Sequence, residues 1–253
     1  MLSDTQKREF VRDGYIRVPD AIPMALVNRA LRAVNHSIGN VGKGGENPER
    51  NRSAFFCAEL LQADVILDLY RKSDVMQIAE ELLGEGNVLP VESAKPYPRF
   101  PDAPGSPTPR LGGHIDGVGS GGNGMAKGTY FRSFTMFAVV YLMDLPEPEA
   151  GNFTVWPGSH LVFRDYFREH GHEVLANGTP RPDLPHDPVM VTGKAGDLIL
   201  AHHQIFHAGG YNLSPHVRQA VITRLRHKDV SVIDKDAYTD IWREWEGLQP
   251  FLN

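Results

Sequence analysis

The stretch GDLILAHHQIFHAGGYNLSPHVRQAVITRL, residues 196–225, decides the fold that the sequence predicts. Two runs in it, 197–203 and 220–225, are mostly apolar and are bounded by glycine, proline or asparagine, which is typical of β-strands. Turn-forming glycine, asparagine, serine and proline residues lie between them. We therefore predict a hairpin in which His207 and Arg218 lie nearly opposite each other on adjacent antiparallel strands.

Similar runs occur upstream of this stretch. Residues 134–142 are apolar on both faces, as expected for a central strand of a sandwich, and shorter runs lie at 154–156 and 189–191. About eight strands of this kind are typical of a double-stranded β-helix, the jelly-roll or cupin-like architecture. The sequence thus predicts a mainly β core with flanking helices, an α+β fold.

Helices are predicted around this β core. Ser3 and Gln6 form a capping-box pattern that opens a helix, and Gly14 can end it before a short strand. Pro23 then begins a second, amphipathic helix. Three more helices are predicted, at about 58–72, 74–83 and 161–170.

We predict that the whole chain, 1–253, forms one domain, because roughly 250 residues suit a single large β-rich domain. Within it we expect a helical N-terminal part at about 1–85, the β-helix core at about 86–230 and a C-terminal helix at about 234–248. One face of that last helix would pack on the rest of the domain through Tyr238, Ile241, Trp242 and Trp245.

Composition excludes several classes of function. The formal net charge of −5 and the lack of a polybasic stripe argue against a nucleic-acid partner. No stretch approaches the length of a membrane span, and the polar start does not resemble a secretion signal, so we expect a cytoplasmic protein without a membrane partner. The single cysteine, Cys57, can form neither an intrachain disulfide nor a thiolate metal site.

The segment Gly113-His114-Ile115-Asp116-Gly117 offers two metal-ligand side chains two positions apart. In an extended strand, residues i and i+2 project to the same face, so His114 and Asp116 can reach one ion. His207 would supply the third ligand from a distant strand of the same sheet system. Two histidines and one carboxylate are the ligands of non-haem Fe(II) oxygenases, in which the open metal positions accept a cosubstrate and O₂.

Charged side chains near these ligands predict anion binding. If Arg218 lies one strand from the metal, its guanidinium can hold a carboxylate in bidentate geometry, which suits the distal carboxylate of 2-oxoglutarate. A solvated strand residue is the alternative. Lys127 and Arg132 follow a glycine-rich segment, 117–124, that we interpret as a lid over substrate, and both could meet an anionic group of the substrate.

These residues form part of an ordered set that resembles the phytanoyl-CoA dioxygenase (PhyH-type) superfamily. The opening segment, 10–19, is also similar to the helix, glycine stop and first strand of that superfamily, so the resemblance extends from about residue 2 to about residue 226. The set comprises Lys95-Pro96, His114-x-Asp116, the GNFTVWPGSH element at 151–160, Gly196-Asp197, His207 and Arg218.

The resemblance implies an Fe(II)- and 2-oxoglutarate-dependent dioxygenase that uses O₂ to hydroxylate or otherwise oxidise a C–H bond of a small molecule, releasing succinate and CO₂. By resemblance, iron would be bound by His114, Asp116 and His207. Arg218 would bind the 2-oxoglutarate carboxylate, and Lys95 would approach the same cosubstrate. Gly209 stands where the family often has a hydroxyl residue. Halogenating relatives have a small residue in place of the acidic ligand, so Asp116 favours hydroxylation or a related oxidation.

Two alternatives remain open from the sequence. A non-catalytic jelly-roll protein could bind a sugar or another small molecule and retain the histidines for structure. A zinc or manganese cupin enzyme, such as an isomerase or hydrolase, could use the same two histidines and carboxylate. The second alternative leaves the position of Arg218 unexplained.

Overall fold

The computed structural model describes residues 1–44, 55–105, 108, 111–121 and 123–252. None of the helices in these ranges is both long and apolar enough to cross a bilayer. The α-helices are α1 (Asp4–Asp13), α2 (Met24–His36), α3 (Asp64–Arg71), α4 (Val75–Leu83), α5 (Ser159–His170) and α6 (Val230–Ile233). A π-helical turn covers Ser37–Val41, and 3₁₀ turns cover Ala58–Leu60, His172–Asn177, Asp234–Tyr238 and Glu246–Phe251.

Helix α1 begins and ends where its sequence predicts. The Ser3 side chain accepts a hydrogen bond from the Gln6 backbone, and the Gln6 side chain accepts one from the Ser3 backbone. Gly14 ends the helix in the left-handed conformation, with φ of 79°. A Cβ atom at this position would lie 2.5 Å from Nδ1 of His160. Gly14 is therefore required both by its φ angle and by the close approach of His160.

Eight strands in the described ranges form two antiparallel sheets. The larger sheet has the order β1-β6-β3-β8-β2, and the smaller sheet has the order β5-β4-β7. The strands are β1 (Tyr15–Val18), β2 (Lys95–Pro96), β3 (Met136–Tyr141), β4 (Phe153–Val155), β5 (Val189–Met190), β6 (Leu198–His202), β7 (His207–Gly209) and β8 (Ala220–Leu225).

Strand β3 is buried on both faces, as its apolar sequence predicts. Its even-numbered residues, such as Ala138 and Val140, pack in a core that includes helices α1 to α4. Its odd-numbered residues, such as Phe137 and Val139, pack in a second core together with Phe153 of the smaller sheet. The inner face of the larger sheet is therefore the face that meets the smaller sheet, and the helices cover the outer face.

The predicted hairpin between β7 and β8 is wrong. Strand β7 pairs with β4, whereas β8 pairs with β3 and β2, so His207 and Arg218 lie in different sheets. The turn residues between them build a crossover instead. The Asn212 side chain bends this segment by donating hydrogen bonds to the backbone carbonyls of His216 and Arg99, at 2.7 and 2.8 Å.

The predicted continuous helix at 234–248 is also wrong. The chain forms a 3₁₀ turn, then irregular turns, then a second 3₁₀ turn. Asp234 has φ of 41°, a left-handed conformation that no α-helix contains, and Trp245 has non-helical angles. The predicted packing is nevertheless present, because the buried side chains of this segment include Tyr238, Ile241 and Trp245. Packing of these large side chains outweighs helical regularity.

A buried ion pair connects this C-terminal segment to the start of β3. The Arg132 guanidinium donates two hydrogen bonds to the Glu244 carboxylate, and both side chains are 1% exposed. Arg132 also donates to the hydroxyl of Thr135. Charges removed from water in this way depend on their partner, since either one alone would be a desolvated charge.

Replacing Glu244 with glutamine is therefore expected to lower the free energy of unfolding by about 3 kcal/mol, the lower range for breaking a buried ion pair. Thermal and denaturant unfolding followed by circular dichroism measure the loss. The control is Arg226→Gln, which removes the exposed pair of Arg226 with Glu92 and is expected to change stability by less than about 1 kcal/mol. Equal stability of the two variants would contradict the structural role of this pair.

Candidate metal centre

Three side chains, those of His114, Asp116 and His207, converge at one end of the β-sandwich. Oδ1 of Asp116 lies 3.1 Å from Nε2 of His114 and 3.6 Å from Nε2 of His207. All three ligand atoms lie within 4.8 Å of one another. In the part of the chain that the structure describes, no other group of three histidine, cysteine or acidic residues is placed to share an ion.

The glycines of the Gly113-to-Gly117 segment explain its shape. A Cβ on Gly113 would lie 2.4 Å from the ring of Phe206, so only glycine lets this ring pack there. Gly117 has φ of 83°, and a Cβ there would lie 2.0 Å from the carbonyl oxygen of Phe131. Between them Ile115 is 1% exposed and packs in an apolar cluster with Phe206. Alternation then turns His114 and Asp116 together toward the centre.

Backbone hydrogen bonds bring the two histidines together. His114 and His207 form an antiparallel bridge, with N–H to carbonyl distances of 2.9 and 3.1 Å. Opposite residues in such a pair have side chains on the same face, and the two rings lie 4.5 Å apart. Nδ1 of His207 lies 3.1 Å from the carbonyl oxygen of Ile205, which can accept its proton. That contact leaves Nε2 of His207 free to bind a metal.

The donor set fits an octahedral cation. Two ligands at neighbouring corners of an octahedron, each about 2.1 Å from the ion, lie about 3 Å apart. The separations of the Asp116 oxygen from the two imidazole nitrogens, 3.1 and 3.6 Å, are close to that value. The His114 side chain is 53% exposed, whereas that of His207 is 8% exposed. The centre therefore opens on the His114 side, where further ligands can enter.

Arg224 is a residue of this site that the sequence analysis missed. Its Nε and Nη2 atoms donate to Oδ2 of Asp116, at 2.8 and 2.6 Å. One oxygen of the carboxylate thus faces the histidines and the other is held by Arg224. The sequence contains one sign of this role. Arg224 is a charged residue inside the apolar run of β8, and alternation places its side chain on the inner face with that of Ile222.

The local charges set the protonation states that metal binding needs. Burial favours the neutral form of Asp116, but the hydrogen bond from His114 and the interactions with His207 and Arg224 outweigh it and hold the pKa of Asp116 well below its ordinary value. Burial, and then the charge of His114, lower the pKa of His207 to about 4. At neutral pH the carboxylate is charged and the His207 imidazole is neutral, as a metal requires of its ligands.

Lys95 and Arg218 lie on adjacent strands of the larger sheet. Lys95 is opposite Ile222, and Arg218 lies four residues before Ile222, so both fall on the inner face by alternation. Arg218 is 5% exposed, and its guanidinium donates to the carbonyls of Gly151 and Tyr97 at 2.6 and 2.8 Å. It is therefore not the solvated residue of the alternative interpretation. The Lys95 ammonium donates to the carbonyl of Phe56 at 2.8 Å.

A cavity of about 500 Å³ lies along β2 and β8. Arg224, which donates to Asp116, is one of its lining residues. Lys95, Tyr97 and Ser133 are further polar lining residues. At Gly209 of β7, a Cβ would meet nothing within 4 Å, so the absence of a side chain there leaves open space.

The glycine-rich segment after Asp116 is a backbone hairpin. Val118 pairs with Tyr130, and Gly119 donates to the carbonyl of Thr129 at 2.8 Å. A Cβ on Gly119 would lie 2.0 Å from the carbonyl oxygen of Ala126, so this glycine permits close approach of the two arms. Gly122, which the predicted lid includes, lies outside the described residues.

The two cations predicted to meet substrate differ in their surroundings. Lys127 is exposed in this hairpin, where its aliphatic stem lies beside Gly121. Its contact with substrate stays a prediction. Arg132 has no such freedom, because its side chain is 1% exposed and paired with Glu244. The expectation for Arg132 is corrected: burial and the ion pair give it a structural role.

Comparison with known proteins finds one matching family over part of the chain. Residues 122–220 match phytanoyl-CoA dioxygenase (PhyH), a segment that includes His207 and Arg218. His114 and Asp116 lie just before it. No curated protein sequence matches the chain significantly.

Solved structures share the fold. The chain resembles the non-haem α-ketoglutarate-dependent carbocyclase SnoK from nogalamycin biosynthesis, with a TM-score of 0.55 and 22% identity over 88% of this chain and 83% of that one. It resembles EctD from S. alaskensis with a TM-score of 0.59 and 19% identity, over 89% and 77% of the two chains. HygX from Streptomyces hygroscopicus, solved with nickel, 2-oxoglutarate and hygromycin B, gives a TM-score of 0.56 and 16% identity, over 90% and 88%.

At these identities the structural matches establish the fold, and they confirm the predicted double-stranded β-helix with flanking helices. The family match includes His207, and His114 and Asp116, which precede the matched segment, complete the group of three converging side chains. Residues 122–220 of the chain thus match the phytanoyl-CoA dioxygenase (PhyH) family, and the structure brings together two histidines and one carboxylate as candidate metal ligands.

Proposed function

We propose that this protein oxidises a C–H bond of a small molecule, by hydroxylation or a related reaction, using Fe(II), 2-oxoglutarate and O₂. The observation that carries the proposal is the convergence of His114, Asp116 and His207 on one open centre. Three ligands on one side leave positions for a cosubstrate and O₂. The cytosol is its proposed location.

The cosubstrate assignment is supported by the charge of Arg218. A buried guanidinium that touches only carbonyl oxygens is a desolvated cation without a counter-ion, which is costly unless an anion binds it. Among the described residues, no carboxylate forms an ion pair with Arg218. The structure of SnoN, a further neighbour, was solved with Fe³⁺ and α-ketoglutarate, and one of HygX with nickel and 2-oxoglutarate. The distal carboxylate of 2-oxoglutarate would supply the counter-ion that Arg218 lacks.

The roles of the residues follow from their positions. His114, Asp116 and His207 would hold the iron, Arg218 would bind the distal carboxylate of 2-oxoglutarate, and Lys95 would approach the same molecule. When bound, iron and 2-oxoglutarate supply the oxidising chemistry: 2-oxoglutarate gives succinate and CO₂, and one oxygen atom of O₂ enters the substrate. The protein holds the cosubstrate and directs one C–H bond to the centre.

Anaerobic addition of Fe(II) and then 2-oxoglutarate tests the assignment directly. The chelate is expected to give a weak visible charge-transfer band, and admission of O₂ is expected to produce succinate. Iron-loaded protein without the band would favour a non-catalytic binding protein. Zinc- or manganese-dependent turnover without succinate would favour a cupin isomerase or hydrolase. Succinate release across a panel of small metabolites would then identify the substrate.

Asp116→Ala is expected to fold, because a carboxylate at an open centre contributes little packing. Succinate formation coupled to substrate oxidation should fall by more than about a hundredfold, beyond the usual loss from changing a residue that only supports a ligand. Succinate assays and product analysis measure the loss, and thermal unfolding checks the fold. Residual iron binding is compatible with the two remaining histidines. Wild-type rates would mean that the carboxylate ligand lies elsewhere.

Arg218→Ala is expected to weaken 2-oxoglutarate binding at least about thirtyfold, since truncating one partner of a buried charge pair costs about 2 kcal/mol or more. Iron affinity should be unchanged, because Arg218 touches none of the three ligands. Titration of the iron-loaded protein with 2-oxoglutarate measures the affinity for the cosubstrate. Competition with a chelator measures the affinity for iron. An unchanged affinity for 2-oxoglutarate would remove Arg218 from the cosubstrate site.

Arg224→Gln is expected to lower metal affinity by about 10- to 100-fold, the range for residues that orient a metal ligand. The variant loses the charge that holds Oδ2 of Asp116, so the carboxylate can rotate away from its metal-binding position. The matched control is Arg226→Gln, two residues along the chain and paired with exposed Glu92. Chelator competition should show the control within about twofold of wild type. Equal affinities of both variants would show that Arg224 does not orient Asp116.

A further inference from the structure

A second arginine lies directly opposite Arg218. Arg99 and Arg218 form an antiparallel bridge, with backbone N–H to carbonyl distances of 2.8 and 2.9 Å in the two directions. Directly opposite residues in an antiparallel pair have their side chains on the same face, with Cβ atoms about 5 Å apart. Lys95 of β2 lies four residues before Arg99, in the same register against the β8 segment and on the same face. Arg99 therefore belongs to the inner face beside Arg218.

The two side chains pack around one glycine. Gly151 has φ of 76°, and a Cβ there would lie 2.8 Å from Cγ of Arg99 and 3.3 Å from Cβ of Arg218. Arg218 already donates to the carbonyl oxygen of Gly151. The position thus admits only glycine, both for its φ angle and for space. The two arginine stems are held side by side at this point.

This pair lacks a counter-ion in the described ranges. Neither Arg99 nor Arg218 forms an ion pair there, and Nε of Arg99 is buried without a hydrogen-bond partner. Burial, and to a lesser extent the positive charge of Arg99, lower the pKa of Arg218 to about 10, although Tyr141 acts in the opposite sense. Like charges placed directly opposite each other destabilise a strand pair. The apo arrangement is therefore electrostatically unfavourable.

An anion between the two guanidinium groups would reduce both the cost of burying unpaired charges and the repulsion between the two arginines. A carboxylate has two oxygens and can accept hydrogen bonds from two arginines at once. The neighbouring cations of the inner face, Lys95 and Arg224, already contact the Phe56 carbonyl and Asp116. Nε of Arg99, by contrast, is buried without a hydrogen-bond partner in the described part of the chain. A bound anion would accept the hydrogen bond that this side chain lacks.

We propose that Arg99 is a second cosubstrate-binding residue, which together with Arg218 holds the distal carboxylate of the 2-oxo diacid. The proposal rests on the proposed function. It makes the site selective for 2-oxo acids with a second carboxylate, because only these offer an anion to both arginines. A 2-oxo monoacid would reach the metal but leave the pair unneutralised.

The test compares Arg99→Gln with wild type in binding 2-oxoglutarate and 2-oxobutanoate to the anaerobic Fe(II) protein. The variant is expected to bind 2-oxoglutarate about tenfold more weakly, the loss of one hydrogen bond to a charged group. Binding of 2-oxobutanoate, which has no distal carboxylate, should be unchanged. Arg99→Lys retains the charge and should recover part of the affinity. The control is Arg29→Gln, which removes a positive charge from the exposed side of α2 and should match wild type.

Thermal unfolding separates a binding role from a structural one. Without 2-oxoglutarate, Arg99→Gln is expected to be as stable as wild type or more stable, because the like-charge contact is relieved. The increase in Tm on adding saturating 2-oxoglutarate should be smaller in the variant than in wild type. Unchanged 2-oxoglutarate affinity in Arg99→Gln, or equal weakening for both 2-oxo acids, would overturn the proposal. Failure of the wild-type protein to bind 2-oxoglutarate at all would instead overturn the proposed function.

Discussion

The pair of backbone hydrogen bonds between His114 and His207 is the contact on which the site depends. It joins a short extended segment to β7 and so places two imidazoles that are 93 residues apart in the sequence (207 − 114) on the same face. Asp116 follows by alternation, and Arg224 of the larger sheet then fixes the carboxylate from the opposite side. The metal centre therefore requires both sheets to be in register before any metal binds.

Positive charge on the inner face of the larger sheet is the second constraint. Four of the cations on this face, Lys95, Arg99, Arg218 and Arg224, lie on or next to β2 and β8, and Asp116 is the carboxylate that contacts Arg224. Such an imbalance is costly in a partly buried site and is reduced by binding anions. A diacid cosubstrate that bridges the iron and the arginine pair would supply that negative charge, which links the fold to the chemistry.

Local sequence patterns were sufficient for α1, β1, β3 and β8 and for the metal ligands, because capping, alternation and glycine stops are determined by neighbouring residues. They were insufficient where distant pairing decides. The glycine, asparagine, serine and proline residues after β7 suit a hairpin and a crossover equally, so the strand that pairs with β7 could not be inferred from them. The role of Arg224 follows from its side-chain contact with Asp116, and that of Arg99 from its pairing with Arg218. The role of Arg132 follows from its ion pair with Glu244, 112 residues away.

Anomalous X-ray diffraction from crystals grown anaerobically with Fe(II) and 2-oxoglutarate tests the central claim most directly. We expect one iron peak bonded to Nε2 of His114, Oδ1 of Asp116 and Nε2 of His207, at about 2.0–2.2 Å from each. Oδ2 of Asp116 should remain on Arg224. An iron peak elsewhere, or an iron that Asp116 does not ligate, would contradict the account.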